Sequence, residues 1–254
     1  HMSHARIRLQ EDGRYGLDVG TAEFGNGTTT VHTQLAATAL HTDPGQVVIR
    51  QSDTDLVDHD TGAYGSTGTV VAGKATLAAA EELAVLLKGF AASLFANTSA
   101  QVVLEATAVE CGGERLSLAE VAVRAQEAGI DLSAQGRWGG TPRSVAFNVQ
   151  GFRVAVNSGT GEIRILHSVH AADAGVVMNP MQCRGQIEGG IAQALGAALF
   201  EKVRVSETGE VETRILREYH VPTFADIPRT DVLFADTDDS LGPKGAKSMS
   251  ESPF

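Results

Sequence analysis

Glu251 stands out by its surroundings. It follows Leu241-Gly242-Pro243-Lys244-Gly245-Ala246-Lys247-Ser248-Met249-Ser250. A glycine-rich loop lets the backbone approach an anion closely. A single Glu just beyond such a loop can act as a general base if the fold buries it. The same residues read equally well as a solvated tail. Three further glycine-rich stretches precede them: Gly20 to Gly27, Thr61 to Thr69, and Gly185 to Gly190. Each stands where a helix is expected to begin. A strand, a Gly-x-Gly loop and a helix N-terminus together make an anion cradle. The first stretch lacks the full dinucleotide fingerprint and the Lys-Ser/Thr of a phosphate-binding P-loop, so an ordinary tight turn is the commoner explanation. Gln186 and Gln193 offer amides to a polar ring system, although a Gln is more often simply exposed. Asp53, Asp55, Asp58, His59 and Asp60 form an acidic cluster without the ligand order of a calcium loop, and a solvated loop is the expectation there. His167, His170 and His220 stand singly, as core or rim residues.

The elements that must position these groups follow from periodicity. Arg6–Leu9 and Tyr15–Val19 read as a hairpin. Residues 28–40 and about 70–92 read as helices, the second with Leu77, Leu83, Leu86, Leu87 and Phe90 on one side. Gly73 within it suggests close packing. Val47–Ile49 and 102–109 read as strands. Ser117 to Glu120 is a capping-box pattern opening a helix that Gly129 stops. Residues 130–144 are polar and glycine-rich and read as a connection. Val145 to His167 alternates as an antiparallel meander. A helix is expected from Gly185 to about Phe200, followed by strands at 210–216 and 232–234. This predicts an α+β protein in two lobes of short mixed sheets flanked by helices: residues 5–130, a connecting segment 131–144, and residues 145–254 carrying the Glu251 loop.

Composition narrows the function. The net charge of −11 argues against a nucleic-acid or membrane-surface binder. No apolar run is long enough to span a bilayer, and no signal-peptide pattern opens the chain. Cys111 and Cys183, the two cysteines, have no metal-ligand spacing and read as reduced structural thiols. His1-Met2 reads as the remnant of a cleaved tag, and the whole as a piece of something longer.

In this order, the motifs resemble the C-terminal part of the molybdenum-cofactor-binding subunit of the xanthine dehydrogenase and aldehyde oxidase family. Ala22-Glu23-Phe24-Gly25-Asn26-Gly27-Thr28 is similar to that family's first cofactor loop. Asp53-Thr54-Asp55 through Asp60-Thr61-Gly62-Ala63-Tyr64-Gly65-Ser66 is similar to its "DTD…TGTYGS" stretch. Asp173-Ala174-Gly175, Asn179-Pro180 and Gly185-Gln186-Ile187-Glu188-Gly189-Gly190-Ile191-Ala192-Gln193 resemble "DxGxxiNP…GQixGGixQ". Gly245 to Glu251 stands where the family has "GAKGxGE". The resemblance covers about Arg6 to Phe254.

It implies an oxidoreductase piece that holds a molybdenum-molybdopterin, commonly as its cytosine dinucleotide. The implied cofactor-binding positions are Gly25, Asn26, Gly27, Gly65, Ser66, Thr67, Gln193, Gly245, Ala246, Lys247 and Ser248. No residue is implied as a direct metal ligand. Glu251 takes the place of the general base in the hydroxylation of an N-heterocycle or aldehyde with water-derived oxygen. Iron–sulfur clusters and FAD would lie on other domains or subunits, alongside the remainder of the molybdenum-binding subunit, in the cytoplasm. Two departures stand out: Asn26 replaces the usual Gln, one methylene shorter, and Ser248-Met249-Ser250 replaces a Gly-x-Gly. A non-catalytic structural or assembly fragment, folded without cofactor, is the alternative.

Overall fold

The computed structural model describes residues 1–140 and 144–254. The chain divides into two compact units. The first comprises 1–144 and 238–248; the second comprises 145–237 and 249–254. The segment 238–248, expected with the second lobe, therefore belongs to the first unit.

The first unit is built on a four-stranded sheet. β1 (Met2–Leu9) pairs antiparallel with β2 (Tyr15–Val19) on one side and with β7 (Ser133–Gly139) on the other, and β3 (Val47–Gln51) runs parallel to β2. Register aligns Ile49, Leu17, Ile7 and Ala134 as one rung across the sheet. Ile7 and Leu17 are fully buried. Alternation sends Asp18 to the opposite face. There its carboxylate, also fully buried, accepts from Arg8 Nη1 at 2.9 Å and Arg50 Nε at 2.8 Å. Two guanidinium groups from the flanking strands thus compensate one desolvated anion.

β7 corrects two expectations. The supposed connection at 131–144 contains a strand, and Met2, set aside as a remnant, pairs with Gly139 at its end. β7 shows little hydropathy contrast because its inward residues, Ala134 and Gly136, are small enough for close approach to a helix. At Gly136 a Cβ would lie 1.9 Å from Ala75 O and 2.6 Å from Ala79 N, so the strand lies directly against a helix backbone.

That helix is α2 (Gly73–Leu94), entered through a wide π turn at Gly68–Ala72. It packs on β1, β7 and α1 (Thr28–Ala39). Leu83, Leu87, Ala79 and Ala80 join Ile7, Leu17 and Tyr15 in the core. The strand expected over 102–109 is broken into β4 (Val103–Leu104) and β5 (Ala108–Cys111), which with β6 (Glu114–Ser117) form a small antiparallel sheet. α3 (Leu118–Glu127) begins at a complete capping box, with Glu120 N donating to Ser117 Oγ at 3.2 Å and Ser117 N to the Glu120 carboxylate at 2.8 Å. Gly129 lies beyond its end at φ +67°. Cys111 is a buried free thiol in this core, and Cys183 of the second unit is half-buried and free.

The second unit has a three-stranded sheet, β10-β9-β8. β8 (Val149–Val156) and β9 (Ile163–Ala172) are antiparallel, but β10 (Thr230–Phe234) runs parallel to β9. α4 (Pro180–Leu195) starts five residues before the expected Gly185. Asn179 caps it by accepting from Gln182 N at 3.1 Å, and Pro180 fills the first helical position, the asymmetry expected of helix starts. Gly185, Gly189 and Gly190 therefore lie inside a helix and make no third cradle. The strand expected at 210–216 reduces to a single Val205–Val211 bridge, and the short helix α5 (Leu216–Tyr219) follows. Ile187, Ile191 and Leu195 of α4 form this unit's core with Ala172, Ala174 and Met249.

Candidate cofactor site

The first unit brings three of the expected loops together. The first loop runs from Glu23 to Thr28, between β2 and α1. The second runs from Gly62 to Gly68 into the π turn. A Cβ at Gly68 would stand 3.3 Å from Thr28 Cγ2, so the two loops touch at their helix entries. The third, Gly242 to Ser248, meets α2 close to where α1 packs on it: a Cβ at Gly73 would lie 3.0 Å from Leu35 Cδ1 and 3.1 Å from Pro243 Cγ. Ser248 Oγ lies 2.9 Å from Ser66 O and 3.3 Å from Gly65 O, tying the third loop to the second. Gly65, Ser66 and Ser248 are thus neighbours in space.

Within these loops the expected residues divide. Thr67 is 5 % exposed, and its hydroxyl lies 2.8 Å from both the Gly62 and Tyr64 carbonyls. Its side chain holds the loop and has no proton to spare for a ligand. Ala246 is also buried; its N–H donates to Pro243 O at 3.2 Å. Gly245 O accepts from Asp239 N at 3.1 Å. Ser66, Lys247 and Ser248 are half-buried at the surface, and Gly65 is exposed.

The first loop is not the open cradle that its glycines suggested. Glu23 Oε1 accepts from Gly25 N at 2.7 Å and Gly27 N at 3.1 Å, and Oε2 accepts from Thr29 N at 2.9 Å. Burial alone would raise the Glu23 pKa; the N–H groups of Thr29, Gly27 and Gly25 outweigh it and hold the carboxyl below its usual range. Asn26 Oδ1 lies 3.3 Å from Thr28 N. Gln51, at the end of β3, donates to Thr21 O at 2.8 Å and anchors the loop's beginning. Neither Glu23 nor Gln51 was singled out by the sequence. The signal for Glu23 was an acid placed four residues before the last glycine of a helix entry.

Asp60, in the acidic stretch, is structural: Oδ1 accepts from Thr21 Oγ1 at 3.0 Å and Gly62 N at 2.6 Å, joining loops one and two. Asp58 lies 3.6 Å from Arg137 and 3.7 Å from His4. Among the described residues, no group of three or more His, Cys, Asp or Glu side chains could hold a metal ion.

The second unit holds Gln193 and Glu251. Glu251 sits in a turn between two anchors. Met249 is buried in the α4 core and Pro253 packs on the helix, where a Cβ at Gly190 would stand 2.8 Å from Pro253 Cβ. Gln150 of β8 donates to Pro253 O at 3.0 Å, and Ser252 N donates to Met249 O at 3.0 Å. Residues 249–254 are therefore a built turn rather than a frayed tail, but Glu251 is exposed on it, so the burial expected for a general base is not supplied by the second unit. Gln193, also exposed, is three residues beyond Gly190 and shares its helix face. Asp173, 4 % exposed, accepts from Phe147 N and Thr237 Oγ1 and is a structural clamp.

The arrangement is α+β, with glycine-rich loops at helix entries and amide and hydroxyl donors beside them. Residues 1–228 match the molybdopterin cofactor-binding domain family, and the chain belongs to it. The "Probable hypoxanthine oxidase XdhD" of Escherichia coli strain K12 is 34 % identical over 98 % of the chain. The xanthine dehydrogenase molybdenum-binding subunit of Escherichia coli O157:H7 is 30 % identical over 98 %. The chain spans 26 % and 34 % of those two proteins. Quinoline 2-oxidoreductase from Pseudomonas putida 86 superposes over 99 % of the chain with a TM-score of 0.89 and 28 % identity, the chain covering 33 % of it.

The donor set fits the family's cofactor in kind. In the first unit the Asn26 amide and the Ser66 hydroxyl are of the kind that suits a polar heterocycle, and Lys247 of the kind that suits a phosphate. A Cβ at Gly25 would meet nothing within 4 Å, so that side of the first loop is open to a ligand.

Proposed function

We propose that this chain is the cofactor-binding portion of a molybdenum hydroxylase that inserts water-derived oxygen into an N-heterocycle or aldehyde. The observation that carries the reading is the built turn 249–254. Two buried anchors, Met249 and Pro253, hold the one carboxylate that stands where the family has its catalytic Glu. A bound molybdenum cofactor would supply the two-electron oxidation, which no side chain can perform. Glu251 takes the proton from the water-derived nucleophile. In the first unit Gly25, Asn26, Gly27, Gly65, Ser66 and the 245–248 segment are cofactor-binding positions; in the second unit Gln193 is one. Thr67 acts through the loop that it holds.

The N-heterocycle reading is favoured by two relatives whose names specify hypoxanthine and quinoline. The cytosine-dinucleotide form of the pterin belongs to the same proposal. So do iron–sulfur clusters and FAD on other domains or subunits, and a cytoplasmic setting. The remainder of the molybdenum-binding subunit is the expected partner. The edge strand β8 supports this, being exposed along almost its whole length with Val149, Val154 and Val156 uncovered, an unusual state for a free surface.

Metal and pterin analysis of the chain, purified from cells that make the cofactor, tests the reading. Molybdenum and pterin in near-stoichiometric amounts are expected. A cooperatively folded chain empty of both would favour the non-catalytic assembly fragment.

A further inference from the structure

The amides of Gly25, Gly27 and Thr29 all donate to one carboxylate that the chain itself supplies. A helix N-terminus with convergent N–H groups ordinarily attracts an anion from outside. Here α1 has no side-chain cap at Gly27, its N-cap residue. Glu23 reaches in from four residues upstream, and the Thr28 hydroxyl lies within 3.4 Å of the same carboxylate. The negative charge also sits at the favourable end of the helix dipole. The loop's tight geometry, with φ of +100° at Gly25 and +83° at Gly27, wraps the backbone around this group.

We propose that Glu23 is a resident anion that closes the N-terminus of α1, making the first loop a preformed platform that presents Asn26 and turns anionic ligand groups away. It is a positioning residue, acting through the backbone of Gly25 to Thr29. The proposal deepens the function proposed above, and rests on that reading only in assigning the cofactor's phosphates to other loops. The closure itself is a property of the ligand-free chain, so its test is independent of molybdenum.

Thermal unfolding of the purified chain gives that test. Glu23→Ala should melt about 2–6 °C below the parent chain, as expected for the loss of a helix cap in a protein of this size. Acetate at matched ionic strength should restore part of the loss by occupying the vacated amides, whereas chloride should not. Inorganic phosphate should raise the melting temperature of Glu23→Ala by clearly more than that of the parent chain. Equal stabilisation of both proteins by phosphate would overturn the proposal, because the helix entry would then accept anions with Glu23 in place. A Glu23→Ala chain that melts like the parent would also overturn it. Should Glu23→Ala fail to fold, amide resonances of the parent chain decide. Those of Gly25, Gly27 and Thr29 should shift together in one acid titration, and independent behaviour of the three would refute a shared carboxylate.

Discussion

His32 is fully buried between α1 and α2, where its Nδ1 shares a 2.8 Å hydrogen bond with Thr76 Oγ1 and its Nε2 has no partner. Burial lowers its pKa to about 4, opposed in small part by the Glu23 charge. The unfolded chain therefore takes up this proton first as the pH falls. His32 contributes its full stability above the ordinary imidazole range and loses it progressively between about pH 6.5 and about 4. On the order of 3 kcal/mol is at stake, at about 1.4 kcal/mol per pH unit. Denaturant melts from pH 7 to 4 should show that slope, and His32→Asn, which retains a partner for Thr76, should flatten it. An unchanged slope would place the acid sensitivity elsewhere. Residue-scale chemistry was the hardest part to read in advance. The sequence marks Gly25 and Gly27 as an anion loop but does not say that the anion is Glu23, because that depends on three amides turning toward one side chain. Thr67 likewise matches a motif, yet its hydroxyl is spent on its own loop.

Among the elements, those with a chemical start signal were legible. α1 and α3 lie within a residue or two of expectation, and α2 was foreseen together with its close packing at Gly73. α4 departs from expectation because its start is set by the Asn179-Pro180 cap, with its glycines inside the helix. β7 is faint in the sequence because its inward-facing residues Ala134 and Gly136 are small, so their alternation with Gln135 and Arg137 carries little hydropathy contrast. Its place is fixed by backbone contact at Gly136 against Ala75 and Ala79. Gly136→Ala should accordingly cost about 3 kcal/mol or more, at the upper end for overpacking, since the clash is with helix backbone rather than a movable side chain. Urea unfolding at constant m-value measures this directly. A loss under 1 kcal/mol would mean that strand and helix can separate freely.

For the whole molecule, family membership was legible because several weak motifs occur in one order. Each alone was compatible with an ordinary turn. What composition could not foretell was the division of labour. The first unit gathers the loop backbone of 23–28, 62–68 and 242–248, and the second carries Gln193 and the anchored Glu251 turn. The chain spans about a quarter to a third of the relatives that it matches. The second unit leaves large side chains exposed, among them Phe147, Leu216 and Phe224. The central claim concerns one carboxylate, and the direct measurement is substrate-driven reduction of the complete enzyme carrying Glu251→Gln, with molybdenum content matched to the unmodified enzyme. Cofactor should be retained while the reduction rate falls by at least two orders of magnitude, as for loss of a general base. A rate within a few-fold of the unmodified enzyme would contradict the claim.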